Sequence, residues 1–284
     1  MSERSWPVLV AEAVGTFLFF FVGAGAVVVN TIAGPSGPGL VGVALAHGLV
    51  LAVLVSALAA VGSGHFNPAV SFAVWVAGRM SAARAGMFVV AQLAGALAAG
   101  LALRALFPPS AWGPSNIGTP SLGSGVGPAT GIAIEAVLTV ILVLAVFGTA
   151  VDDRAPQLGG IAIGLAVAAD ILMGGPLTGA AMNPARWFGP ALASGALDNW
   201  YVWWIGPLVG AGAAALLYRY AFAGPGPEVV HLHGATIGLE EEAEGSLEAP
   251  EGVGQDEHAH QHDEDAGHHR HDPMSPSKQA DQRP

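Results

Sequence analysis

The sequence contains no cysteine and unusually little charge. Without cysteine, neither a disulfide framework nor a thiolate site can form. Only 11% of the 284 residues are charged, whereas soluble globular proteins usually carry about 25%. Hydrophobic residues make up 52% of the chain and collect in long runs with almost no charge. These runs approach the roughly 20 residues that a helix needs to cross a bilayer, so we expect a membrane protein.

The charge that is present lies mostly at one end. Seven acidic residues and seven arginines precede residue 223, so the net charge of -11 lies in the segment after it. An acidic segment argues against nucleic acid as a partner. Its acidic, glycine-rich and proline-rich composition predicts disorder. We therefore divide the chain into a membrane domain, residues 1–223, and a cytoplasmic tail, residues 224–284.

The apolar runs predict six transmembrane helices. Turn-rich or polar segments separate them, for example the uncharged loop of residues 107–128. The predicted spans cover about residues 8–30, 40–61, 84–106, 129–150, 158–175 and 201–223. Two further apolar segments, which begin at Asn67 and Asn183, are only about eleven residues long, or half a bilayer at 1.5 Å per residue. Segments this short are typical of re-entrant half-helices.

The placement of the arginines predicts the orientation of the spans. An even number of spans puts both termini on one side, and most arginines fall on that side: Arg4, Arg79, Arg84, Arg154 and Arg219. The positive-inside rule places this side in the cytoplasm, with Arg104 as an exception near the outer end of the third span. The expected location is the cell (plasma) membrane.

The membrane domain contains an internal repeat. The segment from Ala11 to Thr16 is matched by the segment from Ile134 to Thr139, and each half continues with one Asn-Pro-Ala segment. The first repeat covers about residues 8–106 and the second about residues 129–223. Because each half has three spans, the second copy enters the membrane from the opposite face. The predicted fold is therefore an all-α membrane protein, with six transmembrane helices and two half-helices in an inverted repeat.

The two Asn-Pro-Ala motifs, Asn67-Pro68-Ala69 and Asn183-Pro184-Ala185, carry the chemistry of the predicted pore. Asn is a preferred N-cap and Pro is favoured at the first helical position, so each half-helix begins at its Asn. Free backbone at this depth can only line a cavity. Two positive helix ends that meet there repel a cation or a proton. Each Asn also has an NH₂ group that can donate to a passing water and turn the hydrogens of that water outward.

These motifs resemble the two signature loops of the aquaporin, or major intrinsic protein, family. The resemblance rests on Ser63–Val70 and Gly179–Arg186, and it includes the starts of the first and fourth spans around Glu12 and Glu135. It covers about residues 8–223. It implies a homotetramer with one water-conducting pore in each subunit, no cofactor and no enzymatic reaction.

The same resemblance assigns an outer filter to His47, Ile171, Ala180 and Arg186. Strict water channels usually have an aromatic ring at the first of these positions and a His at the second. The set found here is similar to plant tonoplast aquaporins, which as a group pass water and often ammonia, urea or hydrogen peroxide. Trp187 and the pair Trp203-Trp204 depart from the glycerol-channel pattern. Water and small neutral solutes, with glycerol included, are the expected substrates.

Several of these residues have a second interpretation. Arg186 either lines the pore as a barrier to cations or forms a structural ion pair. His65 either orients its loop or narrows the inner pore. Glu12 and Glu135 are expected to accept hydrogen bonds from the re-entrant loops. The alternative is that they relay protons in a proton-coupled secondary transporter.

The tail holds eight of the ten histidines. Six of these lie close together: His258, His260, His262, His268, His269 and His271. Neutral imidazole suits zinc, copper and nickel, so a weak metal site is one hypothesis for the tail. A solvated segment with no specific role is the other. We expect no metal in the pore.

Overall fold

Helices account for nearly all of the described structure. The computed structural model describes residues 5–62, 64–152, 158–222, 231–232 and 235–236. The chain divides into two compact units, Met1–Glu240 and Glu241–Pro284, and every described residue belongs to the first. Two very short antiparallel strands, β1 His231–Leu232 and β2 Ala235–Thr236, are the described part of the predicted tail. The hypothetical metal site between His258 and His271 lies outside the described residues.

Nine α-helices lie within the described part of the chain. They are α1 Ser5–Ala33, α2 Gly39–Leu58, α3 Pro68–Val76, α4 Ala82–Leu106, α5 Pro109–Trp112, α6 Pro128–Val146, α7 Gly159–Thr178, α8 Pro184–Ser194 and α9 Val202–Leu217. Six of them, α1, α2, α4, α6, α7 and α9, are long and apolar enough to cross a membrane. The two short helices α3 and α8 begin directly after Asn67 and Asn183. The predicted fold class is therefore confirmed.

The outer surface of the helices is apolar. On α1, four large apolar residues spaced four positions apart are all exposed: Val10, Val14, Leu18 and Val22. Such a stripe lies on one side of a helix, because residues four apart share a face. A large exposed apolar surface would favour aggregation in water, whereas hydrocarbon solvates it. The exposed stripe is therefore the side that faces lipid.

Small residues allow the spans to approach one another closely. α1 packs against α4 and α6 against α9, which is the same contact in each repeat, while α2 and α7 meet between the repeats. In the α2–α7 contact, Gly164 lies directly against the backbone of Gly48, so a methyl group has no room there. Gly210 lies in the same way against Ala136. Lipid gives no hydrophobic drive for helix association, so this close backbone contact stabilises the bundle.

Each half-helix packs against the last span of the other repeat, α3 against α9 and α8 against α4. Arginines bind the far ends of both half-helices. Arg104 Nη1 donates to Ala193 O over 2.6 Å, and Arg219 Nη1 donates to Val76 O over 3.3 Å. Carbonyls in the last turn of a helix lack intrahelical donors and carry partial negative charge, which a cation offsets. The exceptional outer arginine of the sequence, Arg104, therefore has a structural role at the end of α8.

The loop of residues 107–128 is more ordered than its composition predicts. It contains α5 and a 3₁₀ segment, Gly113–Gly118. Within that segment Asn116 and Ile117 both have positive φ angles, of 49° and 57°. A branched residue such as Ile rarely adopts this conformation, which costs free energy and needs support from its surroundings. Ile117 is fully buried, and this burial supplies the support.

The α4–α8 contact generates a stability prediction. A Cβ atom at Gly100 would lie 2.7 Å from Gly189 O, whereas a Cβ atom at Gly86, earlier in α4, meets nothing within 4 Å. We expect Gly100→Leu to lower the free energy of unfolding by about 1–3 kcal/mol or more, because overpacking forces the helices apart. Gly86→Leu is the matched control and should unfold like the parent. Thermal unfolding in detergent checks this, and equal stability of the two variants would contradict it.

Candidate functional site

The two half-helices meet through a reciprocal pair of hydrogen bonds. Asn67 Nδ2 donates to Met182 O, and Asn183 Nδ2 donates to Phe66 O, each over 3.0 Å. The acceptor in each case is the residue that immediately precedes the opposite Asn. Phe66 and Met182 have positive φ angles, of 46° and 51°, so the backbone of each loop is held in a costly conformation at this junction.

The side-chain oxygen of each Asn caps its own half-helix. Asn67 Oδ1 accepts from Ala69 N over 2.8 Å, and Asn183 Oδ1 accepts from Ala185 N over 3.0 Å. With one amide hydrogen used in the cross-bond, each side chain keeps one N–H that can donate elsewhere. Both Asn residues are buried and line the same cavity. The sequence prediction that the half-helices start at these two residues is confirmed.

A buried carboxylate holds the first re-entrant loop. Glu12 Oε1 accepts from the backbone N–H groups of Gly64 and His65, and Glu12 Oε2 accepts from Phe66 N over 2.8 Å. Gln92 Nε2 also donates to Glu12 Oε2, over 2.7 Å. The loop could not otherwise pair these donors at membrane depth, where an unpaired N–H is costly. Glu12 therefore lies where the sequence analysis expects it.

A second carboxylate repeats this arrangement in the other half. Glu135 Oε1 accepts from Ala181 N over 2.9 Å and from Thr178 Oγ1 over 2.7 Å, and Glu135 Oε2 accepts from Met182 N over 2.6 Å. Glu12 and Glu135 are both fully buried, and neither belongs to the cavity wall. The two carboxylates thus bind the loops from behind, on the side away from the lumen.

The binding of these N–H groups determines where the loop carbonyls point. In a trans peptide the carbonyl of one residue is antiparallel to the N–H of the next. The N–H groups of His65, Phe66, Ala181 and Met182 face the carboxylates. The preceding carbonyls therefore point the opposite way, and their residues all line the cavity: Gly64, His65, Ala180 and Ala181. Two acceptors thus lie on each side of the Asn pair.

The rest of the cavity wall is almost entirely apolar. Apolar side chains from five helices line it: Phe19, Leu51, Val70, Leu142, Val146, Ile163, Val167 and Ile171. On α7 the wall residues Ile163, Val167 and Ile171 recur every four positions, so a single helix face is used. A molecule in this cavity finds hydrogen-bonding groups along one line and hydrocarbon elsewhere.

Arg186 brings a buried positive charge to one part of this wall. Its Nε donates to His47 Nε2 over 3.2 Å, and its Nη1 donates to Gly118 O over 2.7 Å. These partners are uncharged, so the ion-pair interpretation of Arg186 is not the one that the geometry favours. A guanidinium has five N–H groups, and these two contacts use two of them.

The partners of His47 determine its tautomer. Its Nδ1 lies 2.9 Å from Val43 O, and a carbonyl can only accept, so Nδ1 carries the hydrogen. Its Nε2 accepts from Arg186. Both ring nitrogens of a neutral imidazole are therefore occupied, and His47 presents ring carbon to the cavity. Phe19 packs edge-on against this ring, with the centroids 6.2 Å apart.

All four residues of the expected filter, His47, Ile171, Ala180 and Arg186, lie on the wall of the cavity. Ile171 and Ala180 contribute no side-chain donor there. The structure therefore brings the four positions together, and their action as a filter stays a prediction.

His65 lines the cavity on the other side of the Asn pair. Its Nδ1 lies 3.0 Å from Ser71 Oγ, which also accepts from Gln92 Nε2. The Ser71 hydroxyl can both donate and accept, so this contact is compatible with either tautomer of His65. The described residues offer no partner for His65 Nε2.

Several residues of this site were missed by the sequence analysis. Gly118 supplies the carbonyl that holds Arg186, yet it lies in a loop with no charged residue. Gln92 and Thr178 hold the two carboxylates, and polar side chains within apolar spans are a signal that could have identified them. Asp170 is buried, its Oδ2 has no hydrogen-bond partner among the described residues, and it does not belong to the cavity wall. Within the described residues no group of three potential metal ligands occurs.

Known proteins resemble this chain in sequence and in fold. The sequence profile of the major intrinsic protein family matches residues 1–218. Aquaporin TIP4-4 of Zea mays is 44% identical over 224 residues, which is 77% of this chain and 87% of that protein. Probable aquaporin TIP3-2 of Arabidopsis thaliana is 45% identical over 222 residues, or 74% and 81% of the two chains.

A solved structure, the aquaglyceroporin from Plasmodium falciparum, has a similar fold. The match has a TM-score of 0.67 and 22% sequence identity, and it covers 77% of this chain and 97% of that chain. At this level of identity the likeness shows the fold alone.

The loop contacts of Glu135 generate a second prediction. Glu135→Gln keeps the volume but points an NH₂ group at backbone donors, and each buried donor left unpaired costs about 1–3 kcal/mol. We expect the variant to unfold at a lower temperature and to conduct less water per reconstituted molecule. The control is Asp198→Asn, the same chemical change at an exposed site. A Glu135→Gln protein with parental stability and permeability would contradict the account.

Proposed function

Because the chain belongs to the major intrinsic protein family and is a passive membrane channel for water and small neutral solutes, we propose that conduction follows the cavity between α3 and α8, with His47, Ile171, Ala180 and Arg186 as its filter. The observation that carries this proposal is the reciprocal Asn67–Asn183 junction on the wall of that cavity. Conduction needs no cofactor, and no step converts the solute chemically.

The order of donors and acceptors suits a single file of water. A water at the Asn pair accepts from the free N–H of Asn67 and of Asn183, so both of its own hydrogens turn away from them. The carbonyls of Gly64 and His65 lie on one side, and those of Ala180 and Ala181 lie on the other. Waters on the two sides of the Asn pair therefore orient in opposite directions. As a water moves along the file, it replaces one hydrogen-bond partner by the next and keeps its number of hydrogen bonds.

The same order opposes the passage of protons. A proton moves along a file of waters only if each water can donate to the next. The water at the Asn pair accepts from both amides, so neither of its lone pairs can accept from a neighbouring water, and the chain of donors is broken there. The positive ends of α3 and α8 add a barrier, at roughly half an elementary charge each. The buried guanidinium of Arg186 adds a further positive charge on the same wall.

The filter composition supports small neutral solutes beyond water. Both ring nitrogens of His47 are already hydrogen-bonded, and the side chain of Ile171 has no hydrogen-bonding group. These two filter positions therefore offer no side-chain donor that would favour water over another small neutral solute. We propose ammonia, urea and hydrogen peroxide as additional substrates. Glycerol is a weaker candidate, because Trp187 and Trp203 depart from the glycerol-channel pattern.

A proton-coupled transporter that uses Glu12 and Glu135 is the rival proposal. The geometry favours it less, because every carboxylate oxygen already accepts at least one hydrogen bond. Neither carboxylate lines the cavity, so a proton from the lumen has no direct path to them.

The positive-inside rule supports cytoplasmic termini, and we propose the plasma membrane as the location. We also propose a homotetramer. Its support is the family.

The proposed function predicts fast osmotic water flow through reconstituted protein. Stopped-flow light scattering should give a water permeability well above that of protein-free liposomes. Its activation energy should be lower than for water crossing lipid, because no conformational cycle is needed. Ammonia and urea should also pass measurably. A permeability equal to empty liposomes in correctly folded protein, or an activation energy as high as that of a transporter, would contradict the proposal.

A further inference from the structure

Two buried indoles lie directly behind the proposed filter. Trp187 of α8 and Trp203 of α9 stack face to face, with centroids 5.8 Å apart and planes inclined by 7°. Only 4% of Trp187 and 1% of Trp203 is exposed. Aromatic pairs in such an offset stack stabilise each other beyond the area they bury. The stack therefore links the helix that carries Arg186 to the last membrane span.

One of these indoles also binds the loop that carries Ala180. Trp203 Nε1 donates to Thr178 O over 3.0 Å. The hydroxyl of Thr178 in turn accepts from Ala180 N over 3.1 Å and donates to Glu135. A displacement of Trp203 would thus be transmitted to the backbone at Ala180 through two short hydrogen bonds.

The stack limits the rotation of α8 about its axis. Arg186 and Trp187 are consecutive residues, so they project about 100° apart on the same helical turn. Any rotation that moved Arg186 along the wall would separate the indole of Trp187 from Trp203. On another side of α8, Gly189 lies against the backbone of Ala96 in α4, which blocks a sideways shift. The helix is therefore held from two directions.

The hydrogen-bonding state of Trp187 indicates that stacking, and not a hydrogen bond, positions its ring. Its Nε1 is buried and has no partner among the described residues. A buried donor without a partner is costly, and an aliphatic side chain of similar reach would avoid that cost. Trp187 therefore contributes its aromatic face, which stacks on Trp203 and which an aliphatic side chain lacks.

We propose that Trp187 and Trp203 are positioning residues for solute selectivity, and that their stack holds Arg186 and Ala180 at the separation that excludes larger neutral solutes. This inference rests on the proposed filter. The two tryptophans do not line the cavity, so they act through Arg186 and Ala180 and not on the solute itself.

The test compares Trp187→Leu with Trp187→Phe in proteoliposomes, with urea, glycerol and water permeability measured for each. Leu fills space without an aromatic face, whereas Phe can still stack. We expect Trp187→Leu to raise the ratio of urea permeability to water permeability, and that of glycerol to water, by about two- to tenfold. This range corresponds to the stacking energy of one aromatic pair. Trp187→Phe should stay close to the parent. Trp200→Leu, at a tryptophan that is 55% exposed, is the control for loss of an indole.

Arg186→Val belongs in the same series because it separates failure of the inference from failure of the filter. If Arg186→Val changes selectivity and folded Trp187→Leu does not, the inference is wrong and the filter stands. If neither changes selectivity, the filter assignment is wrong and the inference falls with it. Equal shifts in Trp187→Leu and Trp187→Phe would show that volume matters and stacking does not, which also overturns the inference.

Trp203→Phe carries the test if Trp187→Leu does not fold. This variant keeps an aromatic ring for stacking but removes the N–H that binds Thr178 O, together with part of the ring volume. We expect a smaller rise in the same permeability ratios, with water permeability close to that of the parent. Unchanged ratios in folded Trp203→Phe would overturn the inference.

Discussion

The reciprocal hydrogen bonds between Asn67, Asn183 and the opposite loops are the constraint on which the rest of the structure depends. Each Asn caps its own half-helix with the oxygen and holds the opposite loop with the nitrogen. Two chain segments more than a hundred residues apart are thereby joined at one point. If either half-helix moved, both caps and both cross-bonds would be strained together, so the central geometry of the channel is set cooperatively.

The other buried polar groups follow from this junction. Backbone that forms a junction at membrane depth leaves N–H groups without helical partners, and Glu12 and Glu135 accept them from behind. Because the N–H groups face the carboxylates, the carbonyls face the lumen. The acceptors that water requires are thus a consequence of how the loops are held. The close packing of glycines such as Gly100 and Gly164 then brings the supporting spans near enough to enclose the site.

The sequence predicts more of the fold than of the filter. Charge-poor runs and the two Asn-Pro-Ala motifs are local signals, and they predict the six spans and the two half-helices correctly. The positions of Glu12 and Glu135 beside the re-entrant loops are not a local signal, because their backbone partners lie 46 to 54 positions away in the chain. The contacts of Arg186 could not be predicted, because its partners His47 and Gly118 are 139 and 68 positions away in the chain. The Trp187–Trp203 stack depends on how α8 packs against α9, which no local signal predicts, and the left-handed turn before Gly118 has no distinctive composition.

Proton conductance of the Asn183→Asp variant is the most direct test of the central claim. Asp caps a helix as well as Asn does, so α8 should still form, but the carboxylate cannot donate and offsets the positive ends of the half-helices. Under a pH gradient, proteoliposomes with the variant should acidify faster than those with the parent protein, which should show no protein-dependent proton flux. A folded Asn183→Asp protein that conducts water at the parental rate and still excludes protons would contradict the account.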